Sequence, residues 1–173
     1  MRRAHRRDCR PCDVRRHCPP PCPPPEPPCS VVEANEPLVV RSDDVAFGPL
    51  ELPGFPPGAE IAILYGNPFG PCTFFVARVR FPAGYVAPAH FDSITTHVTV
   101  LEGALVRQVI GGPALTINEG DFFIEPAFQP HTNTFLLPTV VDISGVGPFV
   151  PFVGTDVSSA TNASAEMRRS CGH

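Results

Sequence analysis

The sequence contains no tryptophan and no lysine, and only two tyrosines and two methionines. Nowhere do apolar residues recur with the period of a convincing amphipathic helix, which excludes a helical bundle or an alternating α/β architecture. No apolar run approaches the ~18 residues of a membrane-spanning helix. The N-terminus carries arginines with no apolar stretch behind them, so it does not read as a secretory signal. All 13 basic residues are arginine. Together with the abundant proline and alanine, this most simply reflects GC-rich coding and carries no functional reading.

Proline (24), glycine (14) and phenylalanine (13) are plentiful within the 173 residues, and valine is frequent. This composition favours one β-rich domain with many turns. Charge is unevenly spread. Residues 1–29 carry seven arginines against three acidic side chains, a net +4, and residues 30–173 carry six against fourteen, a net −8. The part expected to fold is therefore acidic. It has no basic stripe to follow a phosphate backbone, which argues against nucleic-acid binding.

Three segments separate by composition. Residues 1–30 form a head rich in Arg, Pro and Cys, with Cys9, Cys12, Cys18, Cys22 and Cys29 near His5 and His17. With almost no aliphatic residues it is expected to be disordered. Cys9-x2-Cys12 is half of a zinc knuckle, but no second CxxC follows and the proline run holds the backbone extended. Disulfides there depend on a compartment that the sequence does not reveal. Residues 156–173 read as a small, polar tail. Its Asn162-Ala163-Ser164 sequon carries little weight without a signal peptide. The domain is expected over 31–155.

Strands are predicted at Pro37–Arg41, Glu60–Tyr65, Cys72–Phe81, Thr95–Leu101, Ala104–Ile110, Ala114–Asn118, Asp121–Glu125, Thr132–Leu137 and Thr139–Gly145. Gly111-Gly112 suits a tight hairpin, since both glycines tolerate positive φ, and Gly120-Asp121 marks another turn. About nine closely spaced strands make an antiparallel sandwich or barrel. Pro82, Pro88, Pro126 and Pro130 are expected at strand ends.

Phe81 to His131 resembles the motifs of the cupin superfamily, small jelly-roll barrels built as a double-stranded β-helix. In the first motif, G-x5-H-x-H-x(3,4)-E-x6-G, Gly84 and His90 match, Asp92 replaces the second His, Thr96 stands at the usual Glu, and Gly103 closes the motif. In the second, G-x5-P-x-G-x2-H-x3-N, Gly120, Pro126 and His131 match, while Phe128 and Phe135 stand at the expected Gly and Asn. TTHVTVLEG at 95–103 and GVGPF at 145–149 are similar to a branch of single-domain bacterial cupins. The resemblance implies an all-β cupin barrel, a metal site facing its interior, and a homodimer.

Cupin metal sites usually combine three imidazoles with one carboxylate, donors that suit Fe, Mn, Zn, Ni or Cu and leave positions open for water or substrate. Here the candidate ligands are His90, Asp92 and His131, the two-histidine, one-carboxylate set of a facial triad. Cys72, on a neighbouring predicted strand, is read as core rather than as a thiolate ligand. His97 is set aside by parity: if Thr96 faces inward with Val98 and Val100, His97 faces out. Phe128 and Phe135 are expected near the site mouth, narrowing it toward a small apolar ligand or plugging it. Two functions stand open. One is a divalent-metal cupin with dioxygenase- or isomerase-type activity on a small molecule. The other is a metal-free barrel serving as a binding or structural, oligomeric module, with Asp92 capping a turn.

Overall fold

The computed structural model describes residues 37–156. The head and all of the tail except Asp156 lie outside the described residues, as do the expectations placed on them. Within 37–156 the chain is almost entirely antiparallel β, with one short 3-10 turn at Ser42–Asp44 and no α-helix. The strands are β1 Gly48–Pro49, β2 Glu60–Tyr65, β3 Phe74–Phe81, β4 Val86–Asp92, β5 Thr96–Glu102, β6 Ala104–Val109, β7 Ala114–Asn118, β8 Phe122–Glu125, β9 His131–Phe135, β10 Thr139–Val146 and β11 Pro151–Val153.

They form two facing sheets. The first runs β1-β2-β3-β10-β5-β8 and the second β11-β4-β9-β6-β7. Alternation sorts the side chains. In β5, Thr96, Val98 and Val100 are buried while His97 is exposed, as parity requires. Val79, Val98, Val100 and Val141 of the first sheet pack against Ala87, Leu105, Ile117 and Phe135 of the second. On the outer face of the first sheet, Arg78 of β3 donates to both carboxylate oxygens of its cross-strand partner Asp142 at 2.8 and 2.9 Å.

Eight of the nine predicted strands are present, with ends shifted by up to two residues. Pro37–Arg41 is instead an exposed, unpaired segment, because no strand of either sheet lies alongside it to take up its hydrogen bonds. Only Gly111 of the Gly111-Gly112 pair takes positive φ. The sequence reading missed the short edge strands β1 and β11, and it missed β4, because Pro88 interrupts it. Pro88 is not at a strand end. It falls where the β4–β9 register shifts between Ala87 and His90, at an irregularity that needs no amide from that position. That slip has a second effect. Ala87 and His90 are both buried although three residues apart, so the irregularity turns His90, and with it Asp92, to the interior.

Gly103 makes the turn from β5 to β6 at φ 84°, and a Cβ there would stand 2.3 Å from the Pro138 carbonyl oxygen. Gly111 shares the positive φ but has open space around it. Gly103→Ala should therefore cost about 2 kcal/mol or more, and Gly111→Ala clearly less, in the midpoint of denaturant unfolding.

Candidate metal centre and cavity

The inward residues of β4 and β9 meet across the second sheet, where His90 pairs directly with His131. Their ring centroids are 4.2 Å apart. Each imidazole is fixed by its own chain two residues back. His90 Nδ1 donates to the Pro88 carbonyl at 2.7 Å, and His131 Nδ1 donates to the Gln129 carbonyl at 2.8 Å. A carbonyl can only accept, so Nδ1 carries a proton in both rings, and a neutral ring then presents its lone pair at Nε2. This is the arrangement that orients a ligating histidine.

Asp92 completes the cluster. One donor atom from each of His90, Asp92 and His131 lies within 4.8 Å of the others, and all three residues are buried. Three donors about 2.1 Å from one shared ion stand roughly 3–3.6 Å from one another, so the set closes on a metal by drawing in by about an ångström. Asp92 Oδ1 and His131 Nε2 are buried without a hydrogen-bond partner. Orphaned polar atoms in such a place are costly, and a cation between them would satisfy both. The donor set therefore fits a divalent metal.

Glu125 of β8 was not foreseen. It is buried, and its carboxylate collects the Arg107 guanidinium, Asn133 Nδ2 at 3.0 Å and the Thr96 hydroxyl at 3.3 Å. Thr96 is its cross-strand partner, so a carboxylate from β8 occupies the neighbourhood of the position where the resemblance expected one from β5. Glu125 Oε1 lies 3.3 Å from His131 Nε2. With the ring proton on Nδ1 that approach sets two acceptors face to face, and it calls for a positive centre: a second proton on the ring or a metal ion. The missed signal was parity. Glu125 shares a face with Phe123, Arg107 with Leu105, and Asn133 with His131.

Electrostatics follow burial. Desolvation, aided by the neighbouring His131, lowers the His90 pKa to about 4, so the ring is neutral and able to ligate at pH 7. Burial and then the charge of Glu125 push the Asp92 carboxyl well above the ordinary range, against the pull of Arg107. Burial acts to raise Glu125 as well, but His131, Arg107 and Asn133 outweigh it and hold that carboxylate low. Two carboxyls thus share one guanidinium, and the cluster is short of positive charge.

His90, Asp92, Glu125 and Asn133 line a cavity of about 90 Å³ whose remaining lining is predominantly apolar, with Phe55, Phe75 and Phe123 among it. Phe135 lies in the core, stacked on Phe81 at 3.8 Å, and lines the cavity rather than a mouth. Phe128 does not line it. Its amide donates to the Asp92 carbonyl at 2.9 Å, and its ring centroid stands 6.3 Å from that of Phe91. Its φ of 60° is the conformation of the glycine it replaces. Cys72 is not a core thiol. It is half-buried in the turn before β3 and is disulfide-bonded, so it offers no thiolate. His97 lies outside, its ring centroid 6.2 Å from that of Phe122.

The two-sheet layout is similar to that of solved structures. The polyketide cyclase RemF from Streptomyces resistomycificus is 18% identical, with 76% of this chain and 98% of that one covered and a TM-score of 0.55. A candidate acetylacetone dioxygenase from Methylibium petroleiphilum PM1 is 21% identical over 75% and 95%, also at 0.55. An RmlC-like cupin from Shewanella frigidimarina NCIMB 400 is 17% identical over 61% and 86%, at 0.48. The chain has the cupin fold. At such identities the likeness is one of fold alone, and neither a protein-family model nor a curated protein matches the sequence. In this cupin barrel the histidines at the motif spacing do converge, and the carboxyl of Asp92 joins them.

The sign of the His90 shift fixes a pH dependence. Its folded pKa lies below its unfolded value of 6.5, so its contribution is fully present above 6.5 and is lost as pH falls toward about 4. Chelator-treated protein should lose stability across that window, by on the order of 3 kcal/mol, and His90→Gln should flatten this part of the stability–pH profile.

Proposed function

We propose that this cupin is a metal-dependent protein whose His90, Asp92 and His131 hold a divalent first-row metal, Fe, Mn, Zn, Ni or Cu, beside a cavity for a small organic substrate. The observation that carries the reading is the pair of orphaned buried atoms, Asp92 Oδ1 and His131 Nε2, beside two imidazoles whose Nδ1 protons are already committed. When bound, such a metal supplies Lewis acidity and, for a redox-active ion, oxygen chemistry at the positions left open. Dioxygenase- or isomerase-type turnover fits that supply.

The chain's own residues set the remaining conditions. Pro88 O and Gln129 O orient the imidazoles. Arg107 helps keep Glu125 ionised next to His131, as a fixed negative charge beside the site. The phenylalanines make the lining apolar, which strengthens the charge interactions of its polar residues. The expected homodimer stays part of the proposal; Phe122 and Ile124, exposed beside His97 on the outer face, are available to it.

The second reading, a metal-free binding or structural module, draws on one specific observation: the buried Arg107 guanidinium already gives Glu125 a fixed cation. Elemental analysis decides between them. Purified or reconstituted wild-type protein should contain stoichiometric metal. His90→Ala and His131→Ala should abolish retention through a desalting column, and Asp92→Asn should weaken affinity by more than the roughly 10–100-fold typical of losing an outer partner. Wild-type protein that takes up no stoichiometric metal after reconstitution would establish the metal-free reading.

A further inference from the structure

Residues 50–58 carry the chain from β1 to β2 with three prolines and two glycines. The Phe55 amide donates to the Leu52 carbonyl at 3.1 Å across Pro53-Gly54. Proline fixes φ at the first corner and Gly54 supplies a φ of 81° at the second, which are the requirements of a type II turn. The two ends of that turn, Leu52 and Phe55, both line the cavity. Pro53, Gly54, Pro56, Pro57 and Gly58 are exposed. The segment is thus a strap with solvent on one side and the cavity on the other.

Three contacts fix the strap. At its base the Leu50 amide donates to the Ala59 carbonyl at 2.9 Å. Next to Phe55, the Pro56 carbonyl accepts from the Tyr85 hydroxyl at 2.9 Å. Tyr85 is itself buried, with its ring 5.3 Å from Phe81 and 6.0 Å from Phe135, so it is a rigid anchor. On the other side the turn lies against β11: a Cβ on Gly54 would stand 2.9 Å from Val153 Cγ2, and Val153 is the cross-strand partner of His90. Held in this way, the Phe55 ring packs on the core and meets His90 edge-on, with centroids 4.9 Å apart and planes at 74°. Of the phenylalanines that line the cavity, Phe55 is the one, among the described residues, in ring contact with a candidate ligand.

The space left beside His90 is small. Its volume of about 90 Å³ falls well below the ~150 Å³ of an engineered apolar cavity that holds benzene. We propose that Phe55 sets the upper size of the molecule admitted beside the metal centre, that the substrate class is therefore short-chain aliphatic and not aromatic, and that Tyr85 is the positioning residue that keeps Phe55 in place. The inference rests on the preceding reading only in taking this cavity as the substrate's place. Apolar area by itself favours the larger of two ligands. A close-packed wall reverses that order, because a ligand that is too large must push the ring off His90 or the strap off the barrel.

The test titrates butanone and acetophenone, two neutral methyl ketones that differ by an ethyl group against a phenyl ring, into the full-length chain and follows amide chemical shifts. Chelator-treated and zinc-loaded protein are both used. Wild-type protein should bind butanone about tenfold more tightly than acetophenone in both preparations, and Phe55→Ala should reverse the order. Tyr85→Phe keeps the ring and removes only the hydroxyl, so it should strengthen acetophenone binding several-fold and leave butanone unchanged. The wild-type comparison and Tyr85→Phe decide the matter even where Phe55→Ala fails to fold. Acetophenone bound as tightly as butanone by the wild type, neither ketone bound, or an order that survives in Phe55→Ala would each overturn the assignment. Tyr85→Phe shifting both ketones equally, or neither, overturns the positioning role. An order seen only with zinc belongs to the metal and overturns the role of Phe55. A chain that takes up no metal yet shows the Phe55-dependent order sinks the metal reading and leaves this one standing.

Discussion

The Glu125 carboxylate is the node through which the interior is organised. With its partners it ties together four strands and both sheets: Thr96 on β5 and Glu125 itself on β8 in the first, Arg107 on β6 and Asn133 on β9 in the second. Elsewhere the sheets meet largely through apolar side chains, which set spacing but not direction. A buried ionised carboxylate is intolerant of displacement, because each lost partner leaves a desolvated charge. Such an ion pair is a poor source of net stability compared with a well-packed apolar pair. What it fixes is position. Asn133, His131 and the polar part of the cavity lining hold their places because Glu125 holds its own.

The charge count around that node gives the cluster its chemical character. Arg107 balances one carboxylate, and Asp92 is left buried with its pKa driven up and one oxygen unpartnered. A domain concerned only with stability would remove Asp92 or pair it. The backbone nearby is also held in a conformation that costs energy, since Phe128 carries the positive φ of a glycine while its amide binds the Asp92 carbonyl. An unsatisfied carboxyl, two imidazoles presenting Nε2, and backbone strain in the adjoining loop form a consistent pattern. Local rules are broken where a bound species, and not the protein, completes the structure.

The fold was legible because strands of this kind advertise themselves. Val98 and Val100 alternate with polar residues, turn glycines punctuate the runs, and the motif spacing placed His90 and His131 in the right barrel. Parity even settled His97. Beyond the short edge strands, three things were not legible, each for a physical reason. β4 was hidden by Pro88, because reading a proline as a strand breaker assumes regular pairing, and this one sits at an irregularity. Segment 37–41 read as a strand on composition alone, whereas a strand exists only where a neighbour takes its hydrogen bonds. Arg107, Glu125 and Asn133 escaped because a charged residue in a strand is assigned to solvent by default. Only the pairing of two sheets reveals that opposite charges from facing strands meet inside.

Asp92 and Thr96, the two departures from the motif that the sequence resembles, are better understood together than separately. With Thr at 96, β5 brings no carboxylate to the interior, and its hydroxyl instead donates to Glu125 across the β5–β8 pair. Moving the carboxylate one strand toward the edge of its sheet brings it within reach of Arg107 on the opposite sheet. Once paired, Glu125 is committed to that guanidinium and stands beside the histidine cluster, outside the three-residue donor set. The donor set takes its carboxylate from Asp92, two residues beyond His90 on β4. Asp is shorter than His, but the slip at Ala87–His90 turns β4 inward there, and its side chain comes within 4.8 Å of both ring donors. Thr96, Glu125, Arg107 and Asp92 are therefore mutually dependent. Restoring a glutamate at 96 alone would place a third carboxyl against a single guanidinium, which is why the residues of this interior have to be read together.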